Sequence, residues 1–305
     1  MDEMNALRQG LMDTCPGMEL RENEPMERHT TFRIGGPARL MALPKTREEA
    51  AAAVRVARAH GIVPFFLGNG SDLLVSDKGY PGFIIKVVGG LTDLTVEGNK
   101  IRAGSGVLLS TLSRAALEHG LTGLEFSNGI PGSLGGAITM NAGAYDGDMS
   151  MVVRSVDFVD GEGALKTLSG ADLDFSYRHS AFSDGRRLIL GAELELAPGK
   201  PDQIQALMDD LWNRRRHKQP LDKPSAGSTF KRPQGYFAAA LIDECKLKGA
   251  RVGGAEVSKK HAGFIINAGG ATSADVLALA RQVQETVLRE TGVALEMEVR
   301  FLGEE

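Results

Sequence analysis

"GIPGSLGGAITMNAGA", Gly129 to Ala144, sets five glycines, a proline and an asparagine among small aliphatic residues. Two readings account for so little side chain. One is a tight turn leading into a close-packed strand; the other is bare backbone kept clear for a large ligand. Pro131 and Gly132 suit a type II turn, and Gly135 and Gly136 remove side chains where the chain enters a helix or strand. A second glycine loop, "LGNGSD" at Leu67 to Asp72, follows an apolar run of strand length. Such a loop can turn several backbone N–H groups toward one point and form an anion nest; alone it is equally a plain turn. It has neither the G-K-[ST] of a Walker A loop nor the G-x-G-x-x-G that opens a Rossmann helix. Two such loops together favour the ligand over the turn.

The rest of the chain narrows the class. A length of 305 residues suggests two or three domains. Its 38 glycines exceed the usual share, roughly 7 %, so many positions require positive φ or close backbone approach. A formal charge of −4 gives no broad basic field, which argues against a nucleic-acid partner; an anionic ligand must be met by local cations. Cys15 and Cys245 form no C-x-x-C pair, so a reducing compartment is expected and a zinc or disulfide framework is not. "MDEMNALRQGLMDTCPG" has no apolar run of signal-peptide length, and nothing approaches a membrane span. The expectation is a cytoplasmic protein with no metal, no membrane association and no obligate protein partner.

"TREEAAAAVRVARAHG" is the clearest helix, with Thr46 and Glu49 in a capping-box pattern and Gly61 at its end. "LLSTLSRAALEHG" reads as a second, closed by Gly120. Strands are expected at "GFIIKVV", "NKIRAGSGV", "VVRSVDFVD", "ALKTL", "RLILGAELEL", "GFIIN" and "ALEMEVRFLG". Pro198-Gly199-Lys200-Pro201 is the best linker. After it, "DQIQALMDDLWNRRRHK" puts Ile204, Leu207, Met208, Leu211 and Trp212 on one helical face. "YFAAALIDECKLKG" and "TSADVLALARQVQETVLRETG" are further helices. Helices and strands mix without a strict βαβ rhythm and without internal repeats, so the fold class is α+β.

"TTFRIGG", "FLGNGSDLLV", "GIPGSLGGAITMNAGAYDG", "SYRHSAF", "AGSTFKRP", "SKKHAGFIIN" and "EMEVRFLG" follow one another in the order of a known family. From about Arg28 to Gly303 the chain closely resembles the bacterial UDP-N-acetylenolpyruvoylglucosamine reductases, which make UDP-N-acetylmuramate for peptidoglycan. Residues 1–24 read as a loose amphipathic lead-in; after it the resemblance implies a two-lobed FAD-binding region of the vanillyl-alcohol-oxidase-like type at 25–198, with lobes of about 25–90 and 91–198. A substrate-binding domain at 199–305 follows, its C-terminal strand returning to the active site. Leu67, Gly68, Asn69, Gly70, Ser71 and Asp72 would contact FAD. So would Asn128, Gly129, Ile130, Pro131, Gly132 and Ser133, together with Gly136, Asn141, Ala142 and Gly143. Neither loop contains the His or Cys that tethers flavin in many oxidases, so non-covalent FAD is expected, with NADPH as reductant.

The family reaction delivers a hydride from NADPH, by way of FAD, to C3 of the enolpyruvyl group. Charge then gathers at C2 and in the carboxylate, and C2 takes a proton. Arg178 in "SYRHSAF" matches the family's active-site arginine; an arbitrary arginine would be a surface ion pair. Ser228 in "SAGSTFKRP" matches the serine that protonates C2, although a Ser-Thr pair after glycine is commonly a turn or cap. Glu298 in "EMEVRFLG" matches the catalytic glutamate. Strand alternation puts Leu295, Met297, Val299 and Phe301 on one face and Glu296, Glu298 and Arg300 on the other, which equally describes a solvated face. The family's proline before the glutamate is Met297 here, which keeps Glu296 as a second candidate. Arg214 to Arg216 complement a helix dipole without any ligand. Lys218 matches a lysine directed at the UDP diphosphate, and Arg232 stands where some members carry asparagine. His261 suits the substrate, the nicotinamide or simple loop packing. "SYRHSAFSDGRRLILGAEL" runs almost directly into a strand, as in the shorter type without an inserted tyrosine loop. The alternatives are another FAD-linked oxidase or dehydrogenase of this fold and a non-catalytic sugar-nucleotide-binding protein.

Overall fold

The structure is a computed structural model and describes residues 3–304. The chain divides into two compact units. The first comprises the chain up to Glu22, Leu40–Asn69 and Gly82–Arg214; the second comprises Asn23–Arg39, Gly70–Pro81 and the chain from Arg215 onward.

In the first unit an antiparallel sheet runs in the spatial order 165–169, 153–159, 188–195, 100–104, 94–97. Its central strand, Leu188–Glu195, is apolar on both faces and nearly all of it is buried. One face packs through Ile101, Val156, Phe158, Ile189 and Leu194 on helices α3 (Leu109–Glu118) and α4 (Leu134–Thr139). The other side of the unit gathers around α1 (Glu3–Thr14) and α2 (Arg47–Ala59). The alanines of α2 let it lie close to Phe83, Ile85 and Leu190. A second sheet runs in the order 19–25, 37–43, 80–86, 65–67, with Phe65–Leu67 parallel to Tyr80–Lys86.

The helix signals read from sequence are realised with one change. Thr46 Oγ1 accepts from Glu49 N–H at 3.2 Å, and Gly61 is left-handed at φ +68°. The Glu49 carboxylate, however, takes the Lys45 N–H at 2.6 Å rather than that of Thr46. The expected loose lead-in is instead part of the core: Leu7 and Leu11 of α1 are fully buried. The Pro-Gly linker is also tied down, because Ala197–Pro198 pairs with Leu121–Thr122 and Gly199 N–H donates to Gly120 O at 2.8 Å. Of the expected apolar face of α5 (Pro201–Lys218), only Ile204 and Met208 are buried, whereas Leu207 and Trp212 are exposed.

The second unit packs α6 (Ala238–Glu244) and α7 (Ser273–Thr291) on Phe32, Leu74, Val257, Ile265 and Leu295. A full capping box joins Thr272 and Asp275 at the start of α7, and Gly292 ends it at φ +73°. Asp77 adds bonds to Ser273 N–H and Oγ at 2.9 and 2.7 Å. The expected long C-terminal strand is shorter: Arg300–Leu302 pairs in parallel with Leu73–Val75, and Leu295–Val299 runs irregularly with one bridge at Met297. No helix among the described residues is long and apolar enough to cross a membrane.

Leu11→Ala tests the place of α1. Truncating a fully buried leucine costs about 2–5 kcal/mol, so the urea-unfolding midpoint drops well below that of the parent. A segment outside the core would leave the midpoint unchanged.

Candidate functional site

The two glycine loops meet within the first unit. Asn69 Nδ2 donates to Pro131 O at 2.7 Å. A Cβ at Gly68 would stand 2.5 Å from Ser133 Oγ, so the first loop must be bare where the second approaches it. Pro131 to Ser133 is extended rather than turned: Ser133 has φ −97° and ψ 161°, bridges Leu108, and is preceded by Gly132, whose carbonyl accepts from Leu109 N–H at 3.0 Å. Gly132 is not among the residues with positive φ, so the expected type II turn is absent. Pairing with the 107–109 segment extends the chain and overrides the local turn propensity.

The adjacent glycines of α4 divide the labour. Gly135 faces inward, where a Cβ would stand 2.9 Å from Ser105 Cβ. Gly136 faces outward, and a Cβ there would meet only Ser133 Oγ, at 3.7 Å. That hydroxyl is buried and has no hydrogen-bond partner, although Ser133 is the N-cap of α4. An orphaned buried hydroxyl costs about 1–3 kcal/mol; beside an open glycine it is set to meet an oxygen brought by a ligand. Leu67 is buried, and Gly129, Ile130, Ala142 and Gly143 are half-buried. Asn128 Oδ1 accepts from Ser113 Oγ at 3.3 Å. The Asn141 amide is likewise committed to protein partners, which leaves its main chain, not its side chain, for a cofactor.

Gly70, Ser71 and Asp72 belong to the second unit. Gly70 is left-handed at φ +61° and lies against His29 O, so no side chain fits there. Its carbonyl accepts from Thr31 N–H at 3.1 Å, and Asp72 O accepts from Arg300 N–H at 3.1 Å.

Arg178 stands in a reverse turn of the first unit. Ser176 and His179 exchange backbone hydrogen bonds of 3.1 and 3.2 Å, which leaves Tyr177 and Arg178 at the tip. Arg178 has φ +55°, a left-handed conformation that costs a residue with a Cβ roughly 1–2 kcal/mol. Glycine would form this turn without strain, so a half-buried arginine held there points to use of the guanidinium. Ser180 and Ser183, which the sequence reading passed over, both donate through Oγ to Thr139 O, at 2.9 and 3.0 Å. The "HSAFS" spacing was the available signal, since two serines three apart share one side of a turn. The chain then passes directly to Leu188, with no inserted loop.

The second unit holds Ser228 and Glu298 on neighbouring segments. Thr229 is buried and triply anchored: its N–H donates to Gly263 O at 2.8 Å, its carbonyl accepts from Glu298 N–H at 2.8 Å, and its Oγ1 accepts from Ile265 N–H at 2.9 Å. Thr229 is fixed inward while its neighbour Ser228 is exposed. Ser228 caps no helix, which removes that reading of the Ser-Thr pair. Glu296 forms a surface ion pair with Lys231, whereas Glu298 is half-buried.

Cations gather in the same unit. Lys218 is the last residue of α5 and Lys260 Nζ donates to Arg216 O at 2.6 Å. Burial first, then the ammonium of Lys248 and to a lesser degree that of Lys218, push the His261 imidazole below its ordinary value. Its Nδ1 accepts from Gly263 N–H at 3.2 Å, so the neutral ring carries its proton on Nε2. Arg232 is held by its own loop, with its guanidinium carbon 4.0 Å from the Phe237 ring centroid and Nε donating to Tyr236 O at 3.4 Å.

Residues 38–169 match the family described as FAD binding domain, and residues 219–302 match the UDP-N-acetylenolpyruvoylglucosamine reductase C-terminal domain. The chain is 48% identical over 282 residues to the UDP-N-acetylenolpyruvoylglucosamine reductase of Caldanaerobacter subterraneus subsp. tengcongensis, covering 92% of this chain and 93% of that one. It is 47% identical over 287 residues to the enzyme of that name from Clostridium novyi, covering 94% and 93%. The crystal structure of UDP-N-acetylenolpyruvylglucosamine reductase from Thermus caldophilus superposes with a TM-score of 0.80 at 36% identity, covering 93% of this chain and 98% of that one.

Gly136→Val separates a ligand cradle from a packing turn. The new side chain meets little protein, so the variant folds with the parent's unfolding midpoint but purifies without FAD. Full flavin content in that variant would rule out the cradle.

The low-lying His261 gives a signed pH dependence. Between its folded value and the 6.5 of an unperturbed histidine, the unfolded chain binds the proton first. This residue's stability contribution is complete above 6.5 and is lost as pH falls through the folded value. A proton NMR titration of His261 has its midpoint below 6.5, and Lys248→Met moves that midpoint upward.

Proposed function

This chain belongs to the UDP-N-acetylenolpyruvoylglucosamine reductase family, and from that premise we propose that it reduces UDP-N-acetylenolpyruvoylglucosamine to UDP-N-acetylmuramate with NADPH in the cytoplasm. It is an FAD-containing oxidoreductase of peptidoglycan precursor synthesis. The residues present fit that cofactor: Gly68 and Gly136 are bare, and the buried Ser133 hydroxyl beside them lacks a partner. In this reading they hold FAD non-covalently, the backbone about Gly129 to Ser133 lying against it. Bound FAD supplies the relay that takes a hydride from the nicotinamide and passes it to C3 of the enolpyruvyl group.

The observation that carries the reading is the Thr229 anchor, which fixes Ser228 outward on the segment bonded to Glu298. When hydride adds to C3, the electron pair of the carbon–carbon double bond moves to C2 and into the carboxylate. Arg178 meets the carboxylate as it gains charge, with a guanidinium that stays protonated at any working pH. Ser228 gives its proton to C2, which completes the saturated lactyl group. An aliphatic hydroxyl is a weak acid, and it serves here because the carbanion is a strong base. Glu298 is the catalytic carboxylate beside it. Lys218 meets the diphosphate, and neutral His261 offers its Nε2 proton without adding a further like charge; Arg232 lines the same substrate. Among the described residues no group of His, Cys, Asp and Glu is arranged to hold a metal ion.

Ser228→Ala tests the assignment. NADPH bleaches the flavin of the variant at the parent's rate under anaerobic conditions, because no substrate carbanion exists in that half. Return of colour on adding UDP-N-acetylenolpyruvoylglucosamine slows by roughly 10²–10⁴. Near-normal return of colour removes Ser228 as the acid, and equal slowing of both halves makes it a structural residue.

A further inference from the structure

The side chain of Asn141 is 4% exposed and engaged at both ends. Its Nδ2 donates to Ser176 O at 3.0 Å, and its Oδ1 accepts from Ser150 N–H at 3.0 Å. Ser176 O is the oxygen that also accepts His179 N–H to close the turn carrying Arg178, so both of its lone pairs are used. Asn141 sits just beyond α4 at φ +44°, and asparagine is among the few residues with a Cβ that adopt this conformation readily. One residue thus turns the chain away from the helix and grips the Arg178 turn.

We infer that Asn141 is the positioning residue for Arg178, acting through Ser176, and that its side chain is not a flavin ligand; this rests on the reading of Arg178 given above. The clamp demands a donor toward Ser176 and an acceptor toward Ser150 from one short, planar group. Aspartate keeps the acceptor but sets a carboxylate oxygen against the Ser176 carbonyl. Glutamine is one methylene too long for the same two contacts. Glycine keeps the left-handed backbone and loses both bonds. Ser180 and Ser183 hold the C-terminal side of the segment on Thr139 O, and Asn141 governs its N-terminal side at Ser176. A shift of about 1 Å in a guanidinium on that strained tip costs as much as 10²-fold in rate.

The test uses holoenzyme of measured flavin content and the variants Asn141→Gly, Asn141→Asp, Arg178→Ala and Asn141→Gly/Arg178→Ala. In Asn141→Gly the His179 amide exchanges with deuterium roughly 5–10-fold faster, as expected for one lost hydrogen bond. Substrate-driven return of flavin colour slows by about 10–100-fold in Asn141→Gly and in Asn141→Asp. In the Arg178→Ala background, Asn141→Gly brings no further loss, because its effect passes through the arginine. Additive losses in the double variant overturn the inference, as does loss of flavin from both Asn141 variants, which would make Asn141 a cofactor or folding residue. Slow colour return in Arg178→Ala with parental behaviour in both Asn141 variants overturns the inference alone. Normal colour return in Arg178→Ala overturns the reading of Arg178 and this inference with it.

Discussion

The chain reaches Ser133 extended and leaves Asn141 left-handed, and the short helix between them sets the distance between those two points. At 1.5 Å per residue the six residues of α4 span about 9 Å. One end presents an unpartnered hydroxyl beside Gly68; the other presents a carbonyl and an amide that hold the Arg178 segment. The helix itself is held by Gly135 against Ser105 and by Leu134 and Ile138 in the core. A side chain at Gly135 would push α4 off the sheet and move both ends together. Packing in the interior and geometry at the surface are therefore one constraint.

The second unit applies the same logic to a different group. Ser228 makes few demands of its own; its position follows from Thr229, whose three hydrogen bonds tie it to the 263–265 segment and to Glu298. Fixing the neighbour rather than Ser228 itself leaves the Ser228 side chain exposed, as the proposed proton transfer requires. The cations follow a related economy. Lys218 and Lys248 would repel a charged imidazole, and burial adds to that cost, so His261 stays neutral and keeps one donor. A neutral donor near lysines can contact an anion without needing an acid partner of its own.

Local signals were legible where physics is local. Thr46, Gly61 and Gly120 each mark a helix end, because a cap concerns only the nearest turn of backbone. Apolar runs likewise located the strands at 80–86, 100–104, 153–159, 188–195 and 265–267, but not those at 19–25, 37–43 and 94–97. The signals that misled depend on distant partners. Pro131-Gly132 has turn chemistry, yet the 107–109 segment pairs with it and extends it. The first residues looked amphipathic and loose, and only the facing surface of α2 turns Leu7 and Leu11 into core. Leu207 and Trp212 show the reverse: helical periodicity put them on the apolar face, but among the described residues that part of the face stays exposed.

The glycine-rich stretch, the ordered motifs and the paucity of side chain around Gly68 and Gly136 belong to the amino-acid sequence alone, and they determined the family, the cofactor class and the candidate residues. A motif can name Arg178, Ser228 or Glu298, because residue type carries the chemistry each can perform. It cannot say what holds them. That Asn141 grips Ser176, that two serines share Thr139 O, and that Thr229 points inward so that Ser228 points outward were decided by tertiary structure. These contacts join positions far apart along the chain, and burial gives them their weight: a hydrogen bond lost in the interior leaves a polar group unpaired, whereas one lost at the surface is replaced by water.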